Sequence, residues 1–340
     1  MPMTDIRSCP CTLKPGFDTF SPKALKKMFG GVKVSHMLPD NFPSRAALVQ
    51  QSQKFTLRKI SLSGVQPKFS VDRLGQEIVL TSGSASGKFM LKPAPFDLSH
   101  ASDVPANEHL TMQIAGQVYG IKTAENALIF FRSGEAAYLT KRFDYGKDGQ
   151  KYPVEDFASL AGKTSETAGQ DFKYSGSYED AADLIYQFVP AAKIEIEKFF
   201  KLIVFNFLAS NGDAHLKNFS IIGNLSGHYQ LAPAYDLINT SIHVSDPELA
   251  LFDGLFKDDF ETESFEANGF RAYDDFLTFG LRIGIQEKRV KRMLDFYRLD
   301  RPAVYQLIEN SFLDNELKLQ YAAHWKKRLK ALNYSYMKHI

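Results

Sequence analysis

Cysteine is nearly missing from this 340-residue chain. Cys9 and Cys11 are the only two, with one proline between them. They stand too close together to staple a fold, and no second pair exists to complete a zinc site. The chain therefore reads as reduced and cytoplasmic. No apolar run approaches the ~20 residues a membrane helix needs, and the opening Met-Pro-Met-Thr-Asp lacks the apolar stretch of a secretory signal. A strong charge of one sign is missing too. The net charge of +2 gives no overall nucleic-acid signature. Internal repeats and low-complexity tracts are absent, and a hydrophobic fraction of 44% excludes global disorder.

A full glycine-rich nucleotide motif is also lacking. The turn Gly83-Ser-Ala-Ser-Gly-Lys88 has three residues between its glycines where a Walker A loop has four, and Phe89 stands where Ser or Thr is required. The length suggests two lobes or two domains. Charge is uneven along it. Residues 21–73 hold ten Lys or Arg against Asp40 and Asp72, whereas 241–269 hold eight acidic residues against Lys257 alone. The basic stretch suits phosphates, RNA or an acidic partner, or is a solvated face. The acidic stretch has little periodicity and reads as an irregular surface insertion.

What the chain does contain centres on Asn211-Gly-Asp-Ala-His-Leu-Lys-Asn218 and Ala234-Tyr-Asp-Leu237. Phosphoryl transfer from a nucleotide needs a carboxylate to take the proton of the attacking hydroxyl, and hard oxygen ligands to hold magnesium on the phosphates. The kinase catalytic loop meets this with D-x-x-x-x-N, followed by a metal-binding Asp. Asp213 and Asn218 have that spacing. The short strands at 219–222 and 229–231 form a hairpin that returns Asp236 to the site. A strongly apolar helix at 193–209 leads into the loop. Taken alone D-x-x-x-x-N is a chance match in many chains, and Asn-Gly-Asp marks a turn; order and context give it weight.

Upstream, residues 60–72 read as strand, tight turn and strand, with Ser61, Ser63 and Gly64 in the turn. Small residues there make an anion nest, although an ordinary hairpin explains them equally well. Lys92 ends an alternating strand, where its charge is natural if it reaches a phosphate; a surface strand-end lysine is the alternative. An amphipathic helix at 105–119 carries Glu108 in its first turn. Strands at 126–131 and 136–143 follow. Helices are expected at 22–28, 178–189, 274–284, 287–296, 302–312 and 315–332.

Ser63-Gly-Val-Gln-Pro-Lys-Phe69, Phe89-Met-Leu-Lys-Pro93, Asn107-Glu-His109, Lys141-Arg-Phe-Asp144, Glu155-Asp-Phe157 and the two motifs above, in this order, resemble the HipA-like serine/threonine kinases of bacterial toxin–antitoxin systems. The resemblance spans roughly residues 59–330. It implies an α+β, two-lobed protein-kinase-like fold: a mixed N-lobe over 1–142 and an all-helical C-lobe over 143–340. It implies ATP and Mg2+ as cofactors, with Asp213 as catalytic base and Asn218 and Asp236 as magnesium ligands. Lys92, paired with Glu108, would reach the ATP phosphates. The phosphate loop would comprise Ser61, Ser63, Gly64, Val65 and Gln66, and backbone around Tyr138 and Lys141 would hold adenine. His215 and Lys217 would orient the loop, neutralise phosphate charge, or be structural. Ser61 and Ser63 are the implied autophosphorylation sites.

Only some sixty residues precede the phosphate loop, about a hundred fewer than in full-length HipA proteins. That resembles the short HipT branch, in which the missing subdomain is a separate small antitoxin. The implied partners are an aminoacyl-tRNA synthetase substrate (tryptophanyl or glutamyl), a HipS-like antitoxin and a HipB-like DNA-binding protein, with no direct nucleic-acid binding and no membrane. Two alternatives stay open: a nucleotide-binding regulatory subunit without catalysis, and a small-molecule phosphotransferase.

Overall fold

The computed structural model describes residues 6–53, 66–81, 87–96, 98–146, 149–224 and 226–336. Two sheets and a set of helices build it. The first sheet has five antiparallel strands, β1 (Phe69–Leu74), β2 (Glu77–Leu80), β3 (Phe89–Pro93), β4 (Asn126–Phe130) and β5 (Ala136–Lys141), in the order β2-β1-β3-β5-β4. Helix α3 (Val104–Gln117) joins β3 to β4. A smaller sheet, β6 (Val154–Asp156), β7 (Ser220–Gly223) and β8 (Tyr229–Leu231), carries the expected hairpin. The first strand and turn of the expected phosphate-loop hairpin, with Ser61, Ser63, Gly64 and Val65, lie outside the described residues, as does most of the turn at 83–88.

Both faces of the five-stranded sheet are covered. Side chains alternate across a strand with period two, so Phe89 and Leu91 of β3, Ala127 and Ile129 of β4 and Leu139 of β5 point to one face. Residues 6–48 cover it, burying Cys9, Cys11, Phe20, Met28, Phe29, Val34 and Leu38. Helix α1 (Pro22–Phe29) lies within this cover. Its start and stop follow the sequence: the Ser21 side chain accepts from the Ala24 N–H, and Gly30 closes the helix at φ 67°. The sequence assigns residues 1–50 no role; here the described part of them is the outer half of a core. A second short helix, α2 (Arg45–Gln53), sets the Arg45 guanidinium on Glu135 and on the carbonyls of Ala94 and Pro95.

The opposite face, with Leu128, Phe130 and Tyr138, packs into the main core. That core is made by α4 (Tyr178–Phe188), α5 (Ala192–Leu208), α6 (Tyr273–Arg282), α7 (Glu287–Tyr297), α8 (Pro302–Glu309) and α9 (Asn315–Asn333). The apolar run ahead of the catalytic loop is α5, with Phe199, Phe200, Ile203, Val204, Phe205, Phe207 and Leu208 all buried. No helix among the described residues is long and apolar enough to cross a membrane.

Two expectations are corrected. Helix α3 is not amphipathic: from Val104 to Met112 every residue is buried, because the helix runs between the sheet and the helical part. Its polar residues are held inside by partners. Thr111 bonds the Asn107 carbonyl and the Tyr321 hydroxyl, and the His109 Nε2 faces the Cys11 carbonyl at 3.2 Å. The acidic 241–269 stretch is irregular, apart from short helical turns at Thr240–Ile242 and Glu263–Asn268, but it is no mere surface insertion. Leu249, Leu251, Leu255 and Phe256 sink into the main core. Its acids are partly neutralised from elsewhere, Glu261 by Arg271 and Glu248 by Arg328.

Candidate functional site

The alternation that turns Phe89 and Leu91 outward turns Lys92 inward, where only 2% of the residue is exposed. Buried charge is tolerated only with a partner, and Lys92 has two. Its Nζ donates to Glu108 Oε1 at 2.6 Å and to Asp236 Oδ1, and it lies 5.2 Å from the centre of the Tyr138 ring. Burial alone would lower the lysine, but the flanking Asp236 and Glu108 carboxylates more than offset it and hold the ammonium above the usual lysine range. Burial also lifts Glu108 to about 7 against the pull of Lys92. Asp236 moves the other way: burial opposes it, yet Lys68 and Lys92 together keep the carboxylate well below its ordinary value. Strand lysine, helix glutamate and the downstream aspartate thus meet at one point from three segments far apart in sequence.

Asp236 adopts φ 55°, a left-handed conformation that costs most residues energy and that Asp tolerates comparatively well. The segment after it is bolted to α3. The Asn107 side chain donates to the Asn239 carbonyl at 2.8 Å and accepts from the Asn239 N–H at 3.1 Å. The next residue, Thr240, accepts from the Gly212 N–H at 2.9 Å and donates to the Ser210 carbonyl. Helix α3, the Asp236 segment and the catalytic loop are therefore one hydrogen-bonded assembly. Gly212 is needed at its place for space rather than for φ. A Cβ there would come within 2.4 Å of Asp246 Cβ and 2.6 Å of the Pro247 carbonyl oxygen.

Within the loop, Asn211 Oδ1 accepts from the Asp213 N–H at 3.3 Å, and Asn218 Nδ2 donates to the Asp213 carbonyl at 2.8 Å. This fixes the Asn218 amide with its nitrogen engaged, which leaves its oxygen as the natural ligand atom. The Asp213 carboxylate is buried, and the Tyr174 hydroxyl donates to its Oδ1 at 2.5 Å. Nearby, Lys173 Nζ stands 2.9 Å from His215 Nε2, and His215 Nε2 stands 3.8 Å from Asp213. Tyr174, Asn218, Asp236 and Lys68 share the wall of a single cleft of about 1630 Å3 with the irregular segment around Phe252.

Among the described residues no group of three or more His, Cys, Asp or Glu is placed to hold a metal ion. A metal held by fewer protein ligands would take the rest of its coordination from elsewhere, as magnesium does from phosphates. The donors present fit magnesium on those terms: one amide oxygen from Asn218 and one hard carboxylate from Asp236. Asp236 Oδ2 is held at 3.4 Å by Lys68, a partly exposed lysine well able to move away.

The remaining sequence-based candidates fall as follows. Lys217 pairs with Asp156 at 2.8 Å and lines the same cleft as Asn218 and Asp236. Gln66 is half-buried, and its amide nitrogen has no hydrogen-bond partner among the described residues. Tyr138 and Lys141, expected to lie near adenine, belong to β5. β5 is flanked on both sides, Tyr138 pairing with Lys92 and with Leu128, and the Lys141 N–H donates to the Glu125 carbonyl. In the linker that follows, Phe143 stacks on Tyr235, the neighbour of Asp236.

Sequence reasoning passed over Lys68, although it belongs to the quoted Gln-Pro-Lys run just before β1. It also passed over Lys173 and Tyr174, which sit in an irregular stretch with no motif to flag them.

Comparison with known proteins places this geometry in a class. The HipA-like C-terminal domain family matches residues 60–301. A protein of Haemophilus influenzae described as a putative kinase is 28% identical over 323 residues, covering 88% of this chain and 91% of that one. The serine/threonine-protein kinase toxin HipA of Shewanella oneidensis is 26% identical over 232 residues, which is 64% of this chain and 51% of that one. The solved structure of Shewanella oneidensis HipA with HipB and operator DNA superimposes with a TM-score of 0.60 at 22% identity, over 86% of this chain and 71% of that one. The fold is therefore that of a two-lobed, protein-kinase-like protein. The chain belongs to the HipA-like C-terminal domain family.

Buried histidines make the fold acid-sensitive. Burial pushes His109, His215 and His243 down to about 4, against about 6.5 in an unfolded chain. Between those values the unfolded state binds more protons, so stability falls as pH falls. Each such histidine contributes about 1.4 kcal/mol per pH unit. Glu108, raised to about 7, works in the opposite sense and cancels roughly one of them. A net loss on the order of 1 kcal/mol or more per pH unit is expected as pH falls from about 6.5 to about 4.5. Thermal unfolding followed by circular dichroism should show a melting temperature several degrees lower at pH 5 than at pH 7; an unchanged or higher value would refute the sign.

Proposed function

We propose that this chain is an ATP- and Mg2+-dependent serine/threonine protein kinase, the toxin of a toxin–antitoxin system, with residues 1–142 as its N-lobe and 143–340 as its C-lobe. The observation that carries the reading is the buried junction of Lys92, Glu108 and Asp236. A lysine held between a helix carboxylate and the aspartate expected to hold metal is what positioning of a nucleotide's phosphates requires. When bound, magnesium supplies the charge that neutralises those phosphates, and Asn218 and Asp236 would hold it. Lys92 would then give up part of its contact with Asp236 to a phosphate oxygen. Asp213 would take the proton of the acceptor hydroxyl as the oxygen attacks phosphorus. Lys68, standing at the same carboxylate, would follow the phosphates, and Gln66, whose amide nitrogen has no partner among the described residues, would offer them a donor.

The substrate proposed is an aminoacyl-tRNA synthetase, tryptophanyl or glutamyl, in the cytoplasm. Ser61 and Ser63 are the proposed autophosphorylation sites, and a HipS-like antitoxin and a HipB-like DNA-binding protein the proposed partners. The test is intact mass and peptide mapping after incubation with Mg-ATP, alone and with each purified synthetase. Phosphate on Ser61 or Ser63 and on one synthetase is the expected result. Phosphate on the loop alone would remove the substrate; no phosphate anywhere would overturn the kinase.

A further inference from the structure

The carboxylate assigned as the base already has a hydroxyl on it. Tyr174 Oη lies 2.5 Å from Asp213 Oδ1, inside the distance at which an acceptor hydroxyl must sit for its proton to be taken. Asp213 is only 5% exposed, so there is little room for a second hydroxyl to approach beside the first. The tyrosine is not placed there by chance packing. Its carbonyl accepts from the Phe252 N–H at 2.9 Å, its ring lies against Phe252 with centroids 5.9 Å apart, and its other side meets the His215 ring edge-on at 5.2 Å. Lys173 lies 4.8 Å from the centre of the same ring. Phe252 itself is 67% exposed on the wall of the cleft, where an incoming polypeptide would meet it first.

We propose that Tyr174 is a specificity-determining residue that holds the acceptor's place on Asp213 until a protein substrate displaces it. Water binding at Asp213 would have to break the phenol's hydrogen bond to a carboxylate and would recover only a similar one. A serine or threonine within a polypeptide lodged in the cleft brings further contacts, at Phe252 and along its segment, and these offset the exchange. The phenol thereby keeps bound ATP from being spent on water. The inference rests on the reading of Asp213 as the base.

The test is ADP release from Mg-ATP with water as the only acceptor, in wild type, Tyr174→Phe, and Tyr174→Phe combined with Asp213→Asn. Tyr174→Phe keeps the ring and its packing and removes only the hydroxyl. Hydrogen bonds to charged groups are strong enough that hydrolysis should rise about tenfold or more, with the KM for ATP unchanged. A residue with a merely structural role would lower turnover when altered, not raise it. A rise that disappears in the double variant is the expected result. No rise, in a protein whose wild type still phosphorylates itself or a synthetase, would overturn the gate alone. A rise that survives Asp213→Asn would overturn the base beneath it, and no nucleotide turnover in any form would overturn the kinase reading. Phosphate found on Tyr174 by peptide mapping would make the tyrosine an acceptor and end its role as a gate. Phe252→Ala, which loosens the strap without touching the hydroxyl, should give a smaller rise in the same direction; its absence would count against displacement through Phe252.

Discussion

Lys92→Met is expected to lower phosphoryl transfer at least about a hundredfold, the scale of losing a charge that stabilises the transferring group, and to destabilise the protein as well. The two effects have different origins and can be separated. The lysine is 2% exposed and sits between two carboxylates. Removing one partner of a buried ionic group leaves the others uncompensated, at a cost of about 3–5 kcal/mol. Glu108 bears the loss: burial already lifts it to about 7 against the pull of Lys92, and without the ammonium its charged form is disfavoured further. Asp236 keeps Lys68 at 3.4 Å. The cost should therefore fall mainly on Glu108, and the double variant Lys92→Met with Glu108→Gln should regain most of the stability while staying inactive. Urea unfolding read by circular dichroism, beside transfer of labelled phosphate, decides it. Recovery of activity in the double variant would show that the lysine serves the fold and not the nucleotide.

Asp213→Asn should leave the fold and ATP affinity nearly intact and lower transfer by about a hundred- to ten-thousandfold, the range for loss of a positioned general base. The geometry favours a clean result. An asparagine oxygen can still accept from Tyr174, and the loop's backbone bonds, from the Asp213 N–H to Asn211 and from Asn218 to the Asp213 carbonyl, do not involve the altered group. Nucleotide affinity by calorimetry and transfer by peptide mapping would both be followed. Transfer within a fewfold of wild type would remove Asp213 from the chemistry.

The parts of the site most legible in the sequence were those whose function is tied to spacing. Asp213 and Asn218 are five residues apart in a loop held by its own hydrogen bonds, and the β7–β8 hairpin after them is local; both follow from short-range rules. Lys92 was legible because a charge at an inward position of an apolar strand has few explanations. What escaped was set by tertiary contact. Helix α3 carries a polar run, Asn107 to His109, of which only Glu108 had an expected partner, Lys92; the assembled fold supplies Asn239 to Asn107 and the Cys11 carbonyl to His109. Tyr174 and Lys173 reach the 211–218 loop from a single 3-10 turn, Phe172–Tyr174, too short for periodicity to mark.

The two-sided cover of the five-stranded sheet also sets an order of events during synthesis on a ribosome. The outer cover, from Cys9 to Leu48, and the strands it covers, to Lys141, are all made within the first part of the chain, so that core can close early. The inner face, with Leu128, Phe130 and Tyr138, is covered first by α3, which lies against it, and the later helices close over α3. Lys92 and Glu108 can meet as soon as α3 docks, but Asp236, which completes the junction, and α9, which packs behind Thr111 through Tyr321, come later still. A nascent chain halted before residue 236 would thus hold the lysine and its glutamate while lacking the aspartate expected to hold metal. The capacity proposed for this protein would arise only once Asp236 has joined Lys92 and Glu108.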